Sequence, residues 1–181
     1  MSCLNDRYFL DSETRQQSLA LARKGIQFPQ ETKLIAGSII YRIAHSNRTF
    51  DESVAGLWWM TEATFSYVRQ IAANTSPEMR SDRAFRSTYR QKLAVPGRFG
   101  PSDMVVRGVV LHQIRAWTGR GKPVAGATSE QETFVGAFEI AQLCIPGLMI
   151  ETAPGSRKWV RSPAFDTMLR TLSPKPALQC L

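Results

Sequence analysis

Histidine and cysteine are scarce in this chain. Its 181 residues include two histidines and three cysteines, Cys3, Cys144 and Cys180, with no Cys-x-x-Cys pair. An odd number of cysteines at wide spacings supports neither a disulfide framework nor a zinc site. We therefore expect a protein that folds in a reducing compartment and holds no metal.

Long apolar runs are also missing. No stretch approaches the ~18 consecutive apolar residues of a membrane span. The first residues, MSCLNDR, lack the basic segment and apolar run of a secretory signal. These features predict a soluble protein without a membrane partner that acts in the cytoplasm. Delivery into a target cell would then need a route without a signal peptide.

Acidic residues are outnumbered by basic ones, 15 to 23, which gives a net charge of +8. Between residues 80 and 122 lie ten Lys and Arg against Asp82 and Asp103, so this segment alone carries the whole net charge. Such a field attracts phosphate-bearing partners, or it is simply a solvated face. Helical spacing would place Arg83, Arg86 and Arg90 near one another, where they could bind a polyanionic acceptor.

The chain length and ordinary composition predict a single domain, with 43% hydrophobic residues. We divide it into an N-terminal helical segment (1–32), a core (33–152) with a basic insertion (about 76–103), and a basic tail (153–181). The element order is α+β rather than repeated βαβ. The predicted helices are 12–24, the segment following Thr61 as N-cap, 76–92 and 165–169. The predicted strands are 38–44, 56–60, 104–114, 132–135 and 140–145, with a loop at 118–127.

Three chemical signals stand out along the core. Arg42 lies within an apolar strand and must be paired or face a ligand if it is buried. Trp58 and Trp59 are adjacent, so one is expected on each side of a strand. Glu130 and Glu132 are two residues apart, and in extended geometry their carboxylates share one face. Each signal also has a plain structural explanation: a solvent-facing arginine, packed tryptophans and solvated acids.

The order of these signals resembles the mono-ADP-ribosyltransferases of the cholera-toxin group. Tyr41-Arg42 is similar to the Tyr-Arg that ends the first strand of that group. The segment SEQET (129–133) resembles its Glu-x-Glu stretch, and GLWWMT (56–61) resembles the strand that ends in Ser-Thr-Ser. In this chain Thr61 alone supplies a hydroxyl at that strand end. The resemblance covers about residues 41–142.

The resemblance implies a split β-sandwich of two roughly perpendicular sheets with flanking helices, and NAD as substrate. Arg42 would hold phosphate or ribose oxygens with its forked donors, and Glu132 would stabilise the cationic sugar of the transition state. Glu130 would orient or deprotonate the acceptor. The other NAD-binding residues implied are Tyr41, Trp58, Trp59 and Thr61.

The acceptor stays open between protein arginine and nucleic acid, and the protein would be a toxin or effector with a cognate antitoxin or immunity protein. Two alternatives remain. One is a basic nucleic-acid-binding module without catalysis, which would leave the acidic pair without a purpose. The other is an NAD glycohydrolase that uses water as acceptor.

Overall fold

A computed structural model describes residues 2–74, 82–95, 101–125, 133–134, 136–137, 140–152, 159–176 and 179. The helices in these ranges are α1 (Arg7–Leu10), α2 (Ser12–Ala22), α3 (Phe50–Val54), α4 (Glu62–Asn74), α5 (Asp82–Leu93) and α6 (Phe165–Met168). The strands are β1 (Ile26–Leu34), β2 (Ile39–Ala44), β3 (Trp58–Thr61), β4 (Met104–Val110), β5 (Ile114–Gly121), β6 (Val124–Ala125), β7 (Thr133–Phe134), β8 (Ala141–Cys144), β9 (Met149–Glu151), β10 (Trp159–Arg161) and β11 (Leu169–Thr171). The fold is α+β, as the sequence predicts. Among the described helices, none has the length and apolar character needed to cross a membrane.

Seven strands form one antiparallel sheet in the order β1-β5-β8-β3-β2-β4-β11. Two further antiparallel pairs, β6 with β7 and β9 with β10, stand beside it. The family resemblance implied two perpendicular sheets, whereas seven of the described strands are hydrogen-bonded into one continuous sheet.

The sheet is nevertheless joined weakly at its centre. In the described strands, β2 and β3 pair at two positions, Ile40 with Thr61 and Tyr41 with Met60. Beyond them β2 stays paired with β4 as far as Ala44, while β3 stays paired with β8 as far as Trp58. The two strands therefore part immediately after Tyr41, and Arg42 is the first residue past the division.

Two hydrophobic clusters pack on the sheet, and alternation along β2 supplies both of them. Ile40 and Trp59 belong to one cluster, and Tyr41, Met60 and Phe65 belong to the other. Burying a side chain of this size contributes about 1.5–3 kcal/mol, so both faces stabilise the sheet.

The N-terminal segment is helical only in part, because residues 26–34 form the edge strand β1. Pro29 argues against a strand there, since proline lacks the N–H that a ladder needs. The structure accommodates it in a bulge between Gln27 and Gln30, where Phe28 adopts a φ of +52°. The hydrogen bonds to β5 thus stabilise a strand in this segment in spite of Pro29.

The predicted strand 104–114 is two strands, β4 and β5, and β5 continues to Gly121 through the predicted loop. Glycine suits this place because a Cβ at Gly121 would lie 2.5 Å from the Leu93 carbonyl oxygen. The short helix near residue 165 is confirmed, but the tail around it is less irregular than predicted, because β10 and β11 pair with β9 and β4.

The predicted basic insertion contains α5, which packs into the core rather than standing outside it. Phe85 and Leu93 are each 2% exposed and belong to the cluster that contains Phe65. The helix therefore forms part of the scaffold next to the division of the sheet.

Candidate active site

Arg42 lies at the point where β2 and β3 part. Its Nε donates to the carbonyl oxygen of Ser53 at 3.0 Å, and Nη1 lies 3.5 Å from that of Trp58. The guanidinium also rests against the backbone of Gly56, where a Cβ would come within 1.5 Å of Nη1. The side chain is half-buried. Three neighbours from the α3–β3 region thus fix its position.

The charge of Arg42 lacks a counterion among the described residues, whose ion pairs all involve other cations. Burial lowers the pKa of the guanidinium to about 10, with a partial opposing effect from Tyr89. The group remains a cation at neutral pH. A half-buried cation held by neutral carbonyls is suited to bind an anion that enters from solvent.

Two spaces meet at this arginine, and a third adjoins one of them. A central cleft of about 660 Å³ is lined by Arg42, Trp58 and Trp159 among others. An inner cavity of about 480 Å³ also contacts Arg42 and Trp58 and reaches Tyr89. An outer groove of about 510 Å³ shares Trp159 and Lys24 with the central cleft. These volumes lie within the range of sites for small ligands and cofactors.

His45 and Tyr89 line the inner cavity together with Arg42 and Lys24. His45 Nδ1 accepts a hydrogen bond from the Ser102 N–H at 2.9 Å, and burial together with the charge of Arg42 lowers the pKa of His45. Burial raises the pKa of the Tyr89 phenol, partly opposed by the charges of Arg42 and Arg90. Both groups are uncharged at neutral pH, so Arg42 and Lys24 supply the positive charge of this cavity.

The two tryptophans point to different places, as predicted. Trp58 is half-buried, lines the central cleft and the inner cavity, and packs against Gly25, where a Cβ would meet its ring at 2.7 Å. Trp59 is 3% exposed within the core, and its Nε1 donates to the Gly56 carbonyl oxygen at 2.9 Å. Only Trp58 of this pair can contact a ligand in the cleft.

Tyr41 is also a core residue. It is 5% exposed and stacks on Phe65 with ring centroids 3.9 Å apart. The structure therefore separates Tyr41 from Arg42, although they are adjacent in sequence, because alternation along β2 directs them to opposite faces.

Thr61 caps helix α4, as the sequence predicts. Its Oγ1 accepts a hydrogen bond from the Thr64 N–H at 3.1 Å and lies 3.2 Å from the Thr64 hydroxyl. The Thr64 hydroxyl in turn contacts the Ala141 carbonyl oxygen at 3.3 Å. The cap thus links the end of β3 to the start of β8.

Glu130 and Glu132 lie outside the described residues. The described residues that flank this segment pair with each other, Ala125 with Thr133 and Val124 with Phe134. Val124 also lines the inner cavity. The β6–β7 pair that brackets the Glu-x-Glu segment therefore borders the space beside Arg42.

The three arginines expected to bind an acceptor differ in exposure. Arg83 is exposed on α5. Arg86 and Arg90 are half-buried, and both donate to the Pro101 carbonyl oxygen, at 3.3 and 3.4 Å. Their role is in part structural, since they tie α5 to the segment that precedes β4.

Sequence reasoning missed several residues of the site, notably Gly56, Tyr89, Lys24 and Gln142. The Gln142 side chain donates to the Leu93 carbonyl oxygen and lines the inner cavity. Gly56 begins the GLWWMT segment but had no role assigned to it, and the other three lie in segments without a catalytic motif, because each contributes through its tertiary position. In the part of the chain that the structure describes, no three His, Cys, Asp or Glu side chains group into a metal site.

Comparison with known proteins gives little further information. No protein-family model and no curated protein match the chain. A solved structure of "Rhs1-CT in complex with cognate immunity protein RhsI1" is similar at a TM-score of 0.45 and 16% identity, over 84% of each chain. At this level of similarity it supports no conclusion about activity.

Proposed function

We propose that this protein is a mono-ADP-ribosyltransferase that cleaves NAD and transfers ADP-ribose to a macromolecular acceptor. The observation that carries the proposal is Arg42, a half-buried cation held by backbone carbonyls at the division of the sheet and facing the cleft. The pyrophosphate of NAD supplies the anion that such a group would bind, and the guanidinium fork matches it.

The surroundings of Arg42 agree with this substrate. Trp58 offers an aromatic surface beside the guanidinium, on which a nicotinamide or adenine ring could stack. The central cleft and inner cavity meet at Arg42, so an extended dinucleotide could place its phosphates there and one ring on each side. The seven-stranded sheet is continuous, but β2 and β3 part beyond Tyr41, beside the cleft that would hold NAD.

The proposed reaction exchanges one bond to the anomeric carbon of the nicotinamide-side ribose. The C1′–N bond breaks, and its electron pair leaves with neutral nicotinamide. A heteroatom of the acceptor then bonds to C1′ and loses its proton to Glu130 or solvent. Glu132 would stabilise the cationic sugar between these steps, and an immobilised carboxylate lowers such a barrier by several kcal/mol.

The Glu132→Gln variant tests the reaction directly. It preserves side-chain shape but removes the charge, so nicotinamide release from NAD should fall at least ~100-fold. The matched control is Arg170→Gln, an exposed position on β11, which should retain the wild-type rate. An unchanged rate in Glu132→Gln would refute the role of this carboxylate, and no nicotinamide release by the wild type would refute the proposed function.

The acceptor class can be found with labelled NAD and a cell lysate. Label that enters macromolecules is digested separately with protease and nuclease, and the treatment that releases it identifies the acceptor. From the sequence resemblance we also propose that the protein is a toxin or effector, whose producer would need a cognate antitoxin or immunity protein.

A further inference from the structure

A basic rim of Arg23, Lys24 and Lys122 adjoins the outer groove at Lys24, which lines it. All three side chains are exposed. The Lys122 N–H donates to the Gly25 carbonyl oxygen at 2.8 Å, which holds the end of β5 against the turn after α2. Lys24 lines the outer groove, the central cleft and the inner cavity. The rim therefore borders the Arg42 site through Lys24, which lines both spaces that contact this arginine.

These cations differ from the basic side chains that carboxylates neutralise. Among the described residues, Arg15, Arg48, Arg115 and Arg161 each form an ion pair with a carboxylate. The described ion pairs do not include a rim residue, so the rim keeps its positive charge available to a partner. Like charges held close together repel, and a polyanion relieves that repulsion on binding.

An aromatic side chain lines the groove beside this charge. Trp159 of β10 is 37% exposed and lines both the outer groove and the central cleft. Leu21, Leu57 and Met149 line the same two spaces and provide an apolar surface around it. Glu151 also lines both spaces, so the positive charge near the indole comes from Lys24 and the adjoining rim. An exposed indole near several cations is the combination that binds unpaired nucleotides, because bases stack on the ring while phosphates contact the cations.

We propose that the outer groove binds single-stranded nucleic acid, and that this nucleic acid is the acceptor of the proposed reaction. A base stacked on Trp159 would lie in the groove that continues into the central cleft. Its exocyclic amino nitrogen would bond to C1′ of NAD as the bond from C1′ to nicotinamide breaks, and one N–H proton would pass to solvent. A duplex would not present a free base face for such stacking, so a single strand is favoured.

This inference rests on the proposed function only for the transfer step, so binding is measured first without NAD. A fluorescein-labelled single strand of about 12 nucleotides is titrated with the protein by anisotropy, as RNA and as DNA, at several salt concentrations. The wild type should bind the single strand in preference to the matching duplex, and binding should weaken as salt increases.

Two variants separate charge from stacking. Arg23→Gln with Lys122→Gln removes two exposed cations and should reduce the salt slope by up to about 1.4, because each phosphate contact to a single strand contributes about 0.7. Trp159→Ala should weaken binding roughly 5- to 150-fold, the value of one base stacked on an aromatic ring. Trp159→Phe should restore most of that loss.

The matched control is Lys33→Gln with Arg170→Gln, which removes the same charge from exposed positions on β1 and β11. If this control weakens binding as much as the rim variant, the effect is general electrostatics and the groove is not the site. Equal binding by wild type and Trp159→Ala would overturn the proposal, as would a protein acceptor in the lysate assay.

Failure of the two proposals can be told apart. NAD cleavage should stay near the wild-type rate in Arg23→Gln with Lys122→Gln, while transfer to the strand falls in parallel with binding. Strand binding without NAD cleavage would refute the proposed function and leave the groove as a nucleic-acid site. NAD cleavage without strand binding would refute this inference alone.

Discussion

Gly56 allows the Arg42 guanidinium to occupy its position, because glycine has no Cβ. A Cβ at Gly56 would overlap the guanidinium, with contacts of 1.5 Å to Nη1 and 2.0 Å to Cζ. Such distances are far inside van der Waals contact, so the guanidinium or the backbone would have to move. Gly56 therefore acts as a positioning residue for Arg42.

We expect Gly56→Ala to lower NAD cleavage at least ~10-fold, because a misplaced guanidinium loses its aligned contacts with the pyrophosphate. A double-mutant cycle with Arg42→Ala gives the control, since Gly56→Ala should cost nothing further once the guanidinium is gone. Nicotinamide release is measured for all four proteins. An equal loss in both backgrounds would mean that Gly56 acts independently of Arg42.

At the scale of elements, the junction between β3 and α4 holds the two halves of the sheet in relation to each other. Thr61 pairs with Ile40 of β2 and caps α4 at the same time. Thr64, on the first turn of α4, contacts the Ala141 carbonyl at the start of β8. One strand end thus connects β2, α4 and β8 beside the division of the sheet.

Thr61→Ala should lower the free energy of unfolding by about 1 kcal/mol, the usual loss when a helix N-cap is removed. Thr61→Ser keeps the hydroxyl and should restore most of that loss. Urea denaturation measures both, with Ser66→Ala on the exposed side of α4 as the control. If Thr61→Ala leaves stability unchanged while it abolishes NAD cleavage, the hydroxyl serves the reaction rather than the helix.

At the scale of the whole molecule, the burial of His45 beside positive charge makes the free energy of unfolding depend on pH. His45 lies beside Arg42, and its Nδ1 accepts the Ser102 N–H. Its pKa in the folded protein is lowered, so below the ordinary value of about 6.5 the unfolded chain binds more protons. The stability from neutral His45 is complete above about pH 6.5 and is lost as pH falls through the lower, folded pKa.

The free energy of unfolding should therefore decrease as pH falls below about 6.5, with a slope below about 1.4 kcal/mol per pH unit because a single group titrates. His45→Asn keeps an acceptor for Ser102 but does not titrate, so it should flatten this slope. His112→Asn, at an exposed position, should preserve it. A slope that survives in His45→Asn would assign the pH dependence to other groups.

Local sequence patterns determined the elements and the candidate residues along them. The sequence predicted three features that each depend on neighbours within a few positions: the apolar runs of β2 and β3, the cap at Thr61 and the short helix near residue 165. The α+β order followed from the succession of these elements. Arg42 was readable as a candidate because a charge inside an apolar strand needs a partner or a ligand.

The tertiary structure determined the features that depend on residues far apart in sequence. Strand β1 forms despite Pro29 because β5 pairs with it, and α5 joins the core because the sheet offers an apolar face to Phe85 and Leu93. Alternation along β2 placed Tyr41 and Arg42 on opposite faces of the sheet. Because β2 and β3 pair at two positions that end at Tyr41, the two strands are apart beside Arg42. The rim of Arg23, Lys24 and Lys122 exists because the pairing of β1 with β5, extended by the hydrogen bond from Lys122 to Gly25, joins segments about a hundred residues apart in sequence. Contacts of that range arise only from the packed chain.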